Sequence, residues 1–250
     1  MSTSPLSLLT PTAPPAAAHR GGLHTVLSRD EYLEAWSRWH GGTDPADSRL
    51  VRGWLSLAYA LAVPLARLSP LVATALGLLV AAAAIAPAAA GGAWLIVAGL
   101  LIGLSGLLDS LDGALAIAGG RASRRGFVLD SAVDRLTEVG YAVAFWVAGA
   151  PGWLAAAFGA LCWLPDYLRA RAGQAGVHET GAVSVWERPT RVAMAALGLV
   201  GAGVVSLLDV ELGGVDAVVL AVTCAAAVGC LLGVVGTAQL GVQLRRALGD

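Results

Sequence analysis

Residues 107–135 read LLDSLDGALAIAGGRASRRGFVLDSAVDR. Four aspartates, Asp109, Asp112, Asp130 and Asp134, stand inside sequence apolar enough to cross a membrane. The first two are three residues apart and the last two are four apart. On a helix each pair shares one face, a turn apart. Two facing helices would therefore present four carboxylates to a single point. A charged side chain at membrane depth costs roughly 2.5–3.5 kcal/mol even on lenient scales. Four in one short stretch call for a compensating charge, and the natural one is a divalent metal held by oxygen ligands.

The rest of the chain fits a membrane setting. Of 250 residues, 57% are hydrophobic and only 13% charged, against about 25% charged in a soluble domain. The expectation is an all-α, polytopic membrane protein. The net charge of -1 carries no nucleic-acid signature, so no nucleic-acid partner is expected. Cys162, Cys224 and Cys230 lie in apolar runs without metal-type spacing and read as packing residues. The chain has no lysine, and all sixteen basic residues are arginine.

The N-terminus lacks the basic start of a signal peptide, and Pro5, Pro11, Pro14 and Pro15 break its apolar run. Residues 1–26 read as a disordered tail. Residues 27–68 read as interfacial amphipathic helices. Ser28 and Glu31 fit a capping box. Beyond them Tyr32, Leu33, Trp36 and Trp39 share a face, which suits either a membrane interface or packing on protein. Arg52 to Leu68 is too short and too interrupted, at Pro64, to be a span.

Hydropathy places six transmembrane helices in residues 69–245, at about 70–90, 93–118, 126–149, 152–172, 190–208 and 215–241. Arginines gather after the second span (Arg121, Arg124, Arg125), around the loop between the fourth and fifth (Arg169, Arg171, Arg188, Arg191), and after the sixth (Arg245, Arg246). The other three loops carry none. The positive-inside rule then makes both termini and the aspartate face cytoplasmic, in an inner or plasma membrane.

The pattern Asp109-x-x-Asp112-Gly113-x-x-Ala116, followed by Gly126-x-x-x-Asp130-x-x-x-Asp134, resembles the signature of the CDP-alcohol phosphotransferases, also called CDP-alcohol phosphatidyltransferases. Seven of its eight defining positions match; Ile117 stands where the family usually has Arg. The resemblance covers about residues 50–245. It implies an integral membrane enzyme of phospholipid biosynthesis that moves a phosphatidyl-type group from a CDP-diacylglycerol-like donor to an alcohol and releases CMP. It also implies Asp109, Asp112, Asp130 and Asp134 as metal ligands for Mg²⁺ or Mn²⁺, two ions in number, with Asp134 as the catalytic base. Asp112, Gly113, Ala116, Ser123, Gly126 and Thr74 become the nucleotide-binding residues, and a homodimer is implied. Glycine also has a physical reason to be at positions 113 and 126, since it lets a ligand approach the backbone. Helix packing by small residues is the alternative. In the segment entering span one, Pro70 and Thr74 match relatives, whereas Leu71 replaces a usual Asn.

A second cluster speaks to the acceptor. Tyr167-x-Arg169-x-Arg171-Ala172 and Glu187-Arg188-Pro189-Thr190-Arg191 resemble segments of the phosphatidylinositol phosphate synthases. By that resemblance Arg169, Arg188 and Arg191 bind the phosphate of a polyol such as inositol phosphate, and guanidinium suits phosphate through its fork of donors. The same arginines also satisfy the positive-inside rule and meet lipid headgroups. Glycerol 3-phosphate is the alternative acceptor. A cation-coupled transporter would place acids near mid-membrane and often show a repeat; here the acids sit at one end and no repeat is visible. UbiA-like prenyltransferases also use Asp-rich motifs, but spaced much further apart and with more spans.

Overall fold

The computed structural model describes residues 26–39, 44–47, 49–177, 184–208, 211–212 and 214–249. Most of the expected N-terminal tail, and the loop residues His178 and Glu179, lie outside them. The described chain is almost entirely helical: α1 (Arg29–Trp39), α2 (Arg49–Ala62), α3 (Pro70–Ala83), α4 (Ile85–Ala90), α5 (Trp94–Ala118), α6 (Arg124–Val147), α7 (Gly152–Gln174), α8 (Arg188–Leu207) and α9 (Ala217–Leu248). A two-residue hairpin pairs Glu211–Leu212 with Val215–Asp216 before α9.

Among the described residues, four stretches are long and apolar enough to cross a membrane: Pro70–Ala90, Trp94–Ala118, Arg188–Leu207 and Ala217–Leu248. The helices α6 and α7, of 24 and 23 residues, have the length but carry charge. The helix α9 runs on to Leu248, past the expected end near 241, and two further boundaries depart from the sequence reading through proline. The first expected span is broken at Ala84, because Pro87 cannot donate to the carbonyl four residues back and crowds it. The helix α2 stops at Ala62, two residues ahead of Pro64, since a proline disfavours helical geometry in the residue before it.

The helix α5 is the spine of the bundle, packed against α3 on one side and α8 on the other. Glycines permit the close approach. At Gly77 an added Cβ would sit 3.5 Å from the Ser105 carbonyl of α5, and at Gly106 one would sit 2.6 Å from Val192 of α8.

At its N-terminus α1 carries the expected capping box. The Ser28 N–H donates to Glu31 Oε2 at 2.8 Å, and the Glu31 N–H reaches Ser28 Oγ at 3.4 Å. The Ser28 hydroxyl also donates to Glu31 Oε2 at 2.7 Å, and this bond foremost, with that from the Ser28 N–H, holds the Glu31 carboxyl below its ordinary pKa. Tyr32 is 1% exposed and packs its ring 5.3 Å from that of Tyr59 on α2. Tyr59 Oη donates to the Leu27 carbonyl at 2.7 Å, and the Leu27 N–H donates to the last carbonyl of α5, Ala118, at 3.1 Å. The buried face of α1 therefore meets α2 and the C-terminal end of α5. Ile117 packs into the same apolar cluster, beside Tyr32, Leu55 and Ala118.

Pro165, inside α7, shapes the approach to α8. Lacking an N–H, it leaves the Leu161 carbonyl without its helical donor. The indole N–H of buried Trp186 donates to that oxygen at 3.1 Å. Trp186 also stacks edge-on against Phe158, with centroids 5.6 Å apart, and rests on the glycines of α9. A Cβ at Gly236 would fall 2.9 Å from the Trp186 backbone nitrogen. Gly236→Ala is expected to destabilise the protein by about 1–3 kcal/mol through overpacking, read as a lower midpoint of thermal unfolding in detergent. Gly241→Ala, with open space at its Cβ inside α9, should not lower the midpoint and should raise it slightly through helix propensity.

Candidate functional site

The C-terminal half of α5 and the N-terminal half of α6 bring Asp109, Asp112 and Asp130 together. One carboxylate oxygen from each lies within 4.8 Å of the others. Asp112 is 5% exposed, and its Oδ2 accepts a 2.5 Å hydrogen bond from Thr74 Oγ1 of α3. Asp130 Oδ1 is buried with no hydrogen-bond partner. Three converging carboxylates and an orphaned buried oxygen are a donor set of hard oxygen ligands, which fits a hard divalent cation.

Asp134 lies one turn beyond Asp130 and stands outside that triad. It faces Arg188, the first residue of α8. Arg188 grips Asp109 through two parallel bonds, Nε to Oδ2 at 2.7 Å and Nη2 to Oδ1 at 2.9 Å. Its Nη1 lies 2.8 Å from Asp134 Oδ1, an ion pair without the direction of a hydrogen bond. Its Nη2 also donates to Thr137 Oγ1 at 3.3 Å. One guanidinium thus ties the first and last aspartates of the sequence motif.

The other nucleotide candidates sit around this centre. Gly113, next to Asp112, has open space where a Cβ would be. Ala116 follows one turn later, half-buried. Ser123 caps α6, its Oγ accepting the Gly126 N–H at 3.1 Å. Gly126 precedes Asp130 by one turn of α6.

The three arginines read as one group in sequence are not equivalent in space. Arg169 is partly exposed and donates Nη2 to Glu187 Oε1 at 2.5 Å and Nη1 to Asp166 Oδ1 at 3.3 Å. Arg188 lies among the aspartates. Arg191 is 1% exposed, its Nη1 bonded to Glu138 at 2.9 Å and Asp166 at 2.6 Å and its Nε to the Trp186 carbonyl at 3.1 Å. It supports the site from behind.

Sequence reasoning missed Glu138, Asp166, Arg135 and Thr137. Glu138 is 1% exposed and continues the stripe of Asp130 and Asp134 at four-residue steps, a signal that was there to find. Arg135 reaches Glu138 at 3.2 Å and Asp134 at 3.7 Å, and also pairs with Asp166. Asp166 precedes Arg169 at helical spacing, but its link to Arg191 depends on how α7 meets α8.

The chain matches the family profile described as CDP-alcohol phosphatidyltransferase over residues 65–232. It is similar to the archaetidylinositol phosphate synthase of Pyrococcus horikoshii, 35% identical over 98 residues, which are 39% of this chain and 52% of that one. It is also similar to the archaetidylinositol phosphate synthase of Aeropyrum pernix, 38% identical over 82 residues, 33% of this chain and 42% of that one. The chain thus spans about half the length of the curated relatives it matches. Among solved structures it resembles Mycobacterium tuberculosis phosphatidylinositol phosphate synthase with CDP-DAG bound, at TM-score 0.59 and 22% identity over 78% of this chain and 98% of that one. The same enzyme in complex with manganese and citrate gives TM-score 0.57 and 24% identity over 73% and 88%. At that identity the likeness speaks for a shared fold.

Proposed function

The chain belongs to the CDP-alcohol phosphatidyltransferase family, and from that premise we propose that it transfers a phosphatidyl-type group from a CDP-diacylglycerol-like lipid to a hydroxyl of inositol phosphate, releasing CMP. The observation that carries the reading is the convergence of Asp109, Asp112 and Asp130 within 4.8 Å, with Asp134 one turn away and Arg188 between them. The inositol phosphate acceptor draws support from the matched archaetidylinositol phosphate synthases and from the arginines at the mouth of α7 and α8.

In this reading Asp109, Asp112 and Asp130, with Asp134 beside them, would hold Mg²⁺ or Mn²⁺, two ions in number. The bound cation would neutralise the diphosphate and the charge that develops on departing CMP. The chain's own residues do the rest. Thr74 fixes the rotamer of Asp112 by its short hydrogen bond. Gly113 and Gly126 leave room for the nucleotide to lie against backbone, with Ala116, Ser123 and Thr74 lining the same cradle. Asp134 takes the proton of the acceptor hydroxyl as that oxygen bonds to the lipid-bearing phosphorus. The bond from that phosphorus to the bridging oxygen breaks, and CMP leaves with the electron pair. Arg188 holds Asp134 in place for this step, and Arg169 receives the acceptor's phosphate.

The same reading takes α3–α4, α5, α6, α7, α8 and α9 as six spans, with the arginine-rich end cytoplasmic and α1 and α2 at that interface. It also takes the working unit as a homodimer. The acceptor is tested by mass analysis of the lipid formed from CDP-diacylglycerol. Inositol phosphate should yield a lipid that retains the acceptor's own phosphate, and EDTA should abolish its formation until Mg²⁺ or Mn²⁺ is restored. Product with glycerol 3-phosphate alone would overturn the inositol assignment.

A further inference from the structure

Asp166 is the point where three helices exchange charge. Its Oδ2 accepts from Arg191 of α8 at 2.6 Å and from Arg135 of α6, and its Oδ1 accepts from Arg169 of its own helix at 3.3 Å. Its side chain is 36% exposed, so it stands at the rim of the site rather than in the packed interior. Each arginine then reaches a different part of the centre. Arg135 lies against Asp134 and Glu138. Arg169 lies against Glu187, the residue that precedes Arg188. Arg191 ties Glu138 to the Trp186 carbonyl.

We propose that Asp166 is a positioning residue for the acceptor: one carboxylate that anchors Arg169 at the rim to the buried Arg191 and to Arg135, and so fixes the guanidinium against which the acceptor's phosphate is held. The proposal rests on the reading that the acceptor carries a phosphate. Guanidinium groups held this close repel one another, and without a shared anion they separate or swing to solvent. A phosphate then meets a guanidinium that must be placed again at each binding event, and ordering a long side chain weakens binding. Asparagine cannot substitute, because its amide turns one acceptor oxygen into a donor that faces arginine donors. Asp166 also bears a charge that opposes a phosphate directly. The geometry decides between the two effects, since both carboxylate oxygens are engaged by arginine and little of the charge is left unpaired.

The test compares Asp166→Asn and Asp166→Glu with wild type by steady-state CMP release, varying inositol phosphate and CDP-diacylglycerol separately. Asp166→Asn should raise KM for inositol phosphate by roughly tenfold or more, as loss of charge-assisted hydrogen bonds would, with KM for the lipid donor unchanged. Asp166→Glu keeps the charge on a longer arm, so its acceptor KM should fall between the two. A merely structural role would move both KM values or kcat alone. If Asp166→Asn does not fold, the split between the two KM values in Asp166→Glu carries the test. An acceptor KM unchanged or lowered in the variants, with wild type active on inositol phosphate, overturns the proposal alone. Wild type active only on unphosphorylated inositol overturns the acceptor reading, and the proposal falls with it.

Discussion

Asp134→Asn is expected to lower CMP release by roughly 10²–10⁴-fold, the usual range for removing a general base. The amide keeps the size and rotamer of the carboxylate but cannot take the acceptor's proton. Its Oδ1 can still face Arg188, now 2.8 Å away in an ion pair. The variant should therefore fold, and its thermal unfolding in detergent should match wild type within a few degrees. Binding of CDP-diacylglycerol should survive, because Asp134 stands outside the triad of Asp109, Asp112 and Asp130. Full activity in Asp134→Asn would remove it from the proton transfer.

The second large effect is on stability. Arg191 and Glu138 are each 1% exposed and lie 2.9 Å apart. Arg191→Met leaves Glu138 facing only Arg135, at 3.2 Å. It also leaves the Trp186 carbonyl without its donor. Breaking one partner from a buried pair costs about 3–5 kcal/mol, and because Arg135 still compensates part of the Glu138 charge the lower end of that range, about 3 kcal/mol, is expected here. The loss should appear as a large drop in the unfolding midpoint. Adding Glu138→Gln to Arg191→Met should recover part of it, since the stranded charge is then gone. Double-variant stability no better than that of Arg191→Met would show that the cost lies in lost packing instead.

Much of this architecture was legible in the sequence. The spacing of the four aspartates fixes their helical faces, and the apolar runs around them leave helices as the means of placing them. Ser28 and Glu31 announced the start of α1 correctly, because a capping box is a local device that needs no tertiary partner. The break at Ala84 was also encoded, in Pro87, but an apolar run hides a proline from a hydropathy average. The partner of α1 was less accessible. Its apolar face suits lipid or protein equally, and only the meeting of Tyr32 with Tyr59 settles on protein.

The site was legible where its signals were local and obscure where they crossed helices. Arg169, Arg188 and Arg191 read alike along the chain, yet one lies at the rim, one among the aspartates and one behind them. That difference comes from the partners each meets across α5, α6, α7 and α8. Where α8 begins, Trp186 bonds the Leu161 carbonyl freed by Pro165, a contact between residues 25 apart in sequence with no shared period. Ile117 is similar. As a departure from the family's arginine it looked like a lost contact; in space it belongs to the apolar seat of α1.

The central claim is that the aspartate cluster runs a metal-dependent transfer from a CDP-lipid. The measurement that tests it most directly is CMP release from CDP-diacylglycerol by purified protein, with and without a divalent cation and inositol phosphate, beside Asp130→Asn. The account predicts CMP only when cation and acceptor are both present, and its loss in Asp130→Asn. CMP release that persists in Asp130→Asn or without any divalent cation would contradict it.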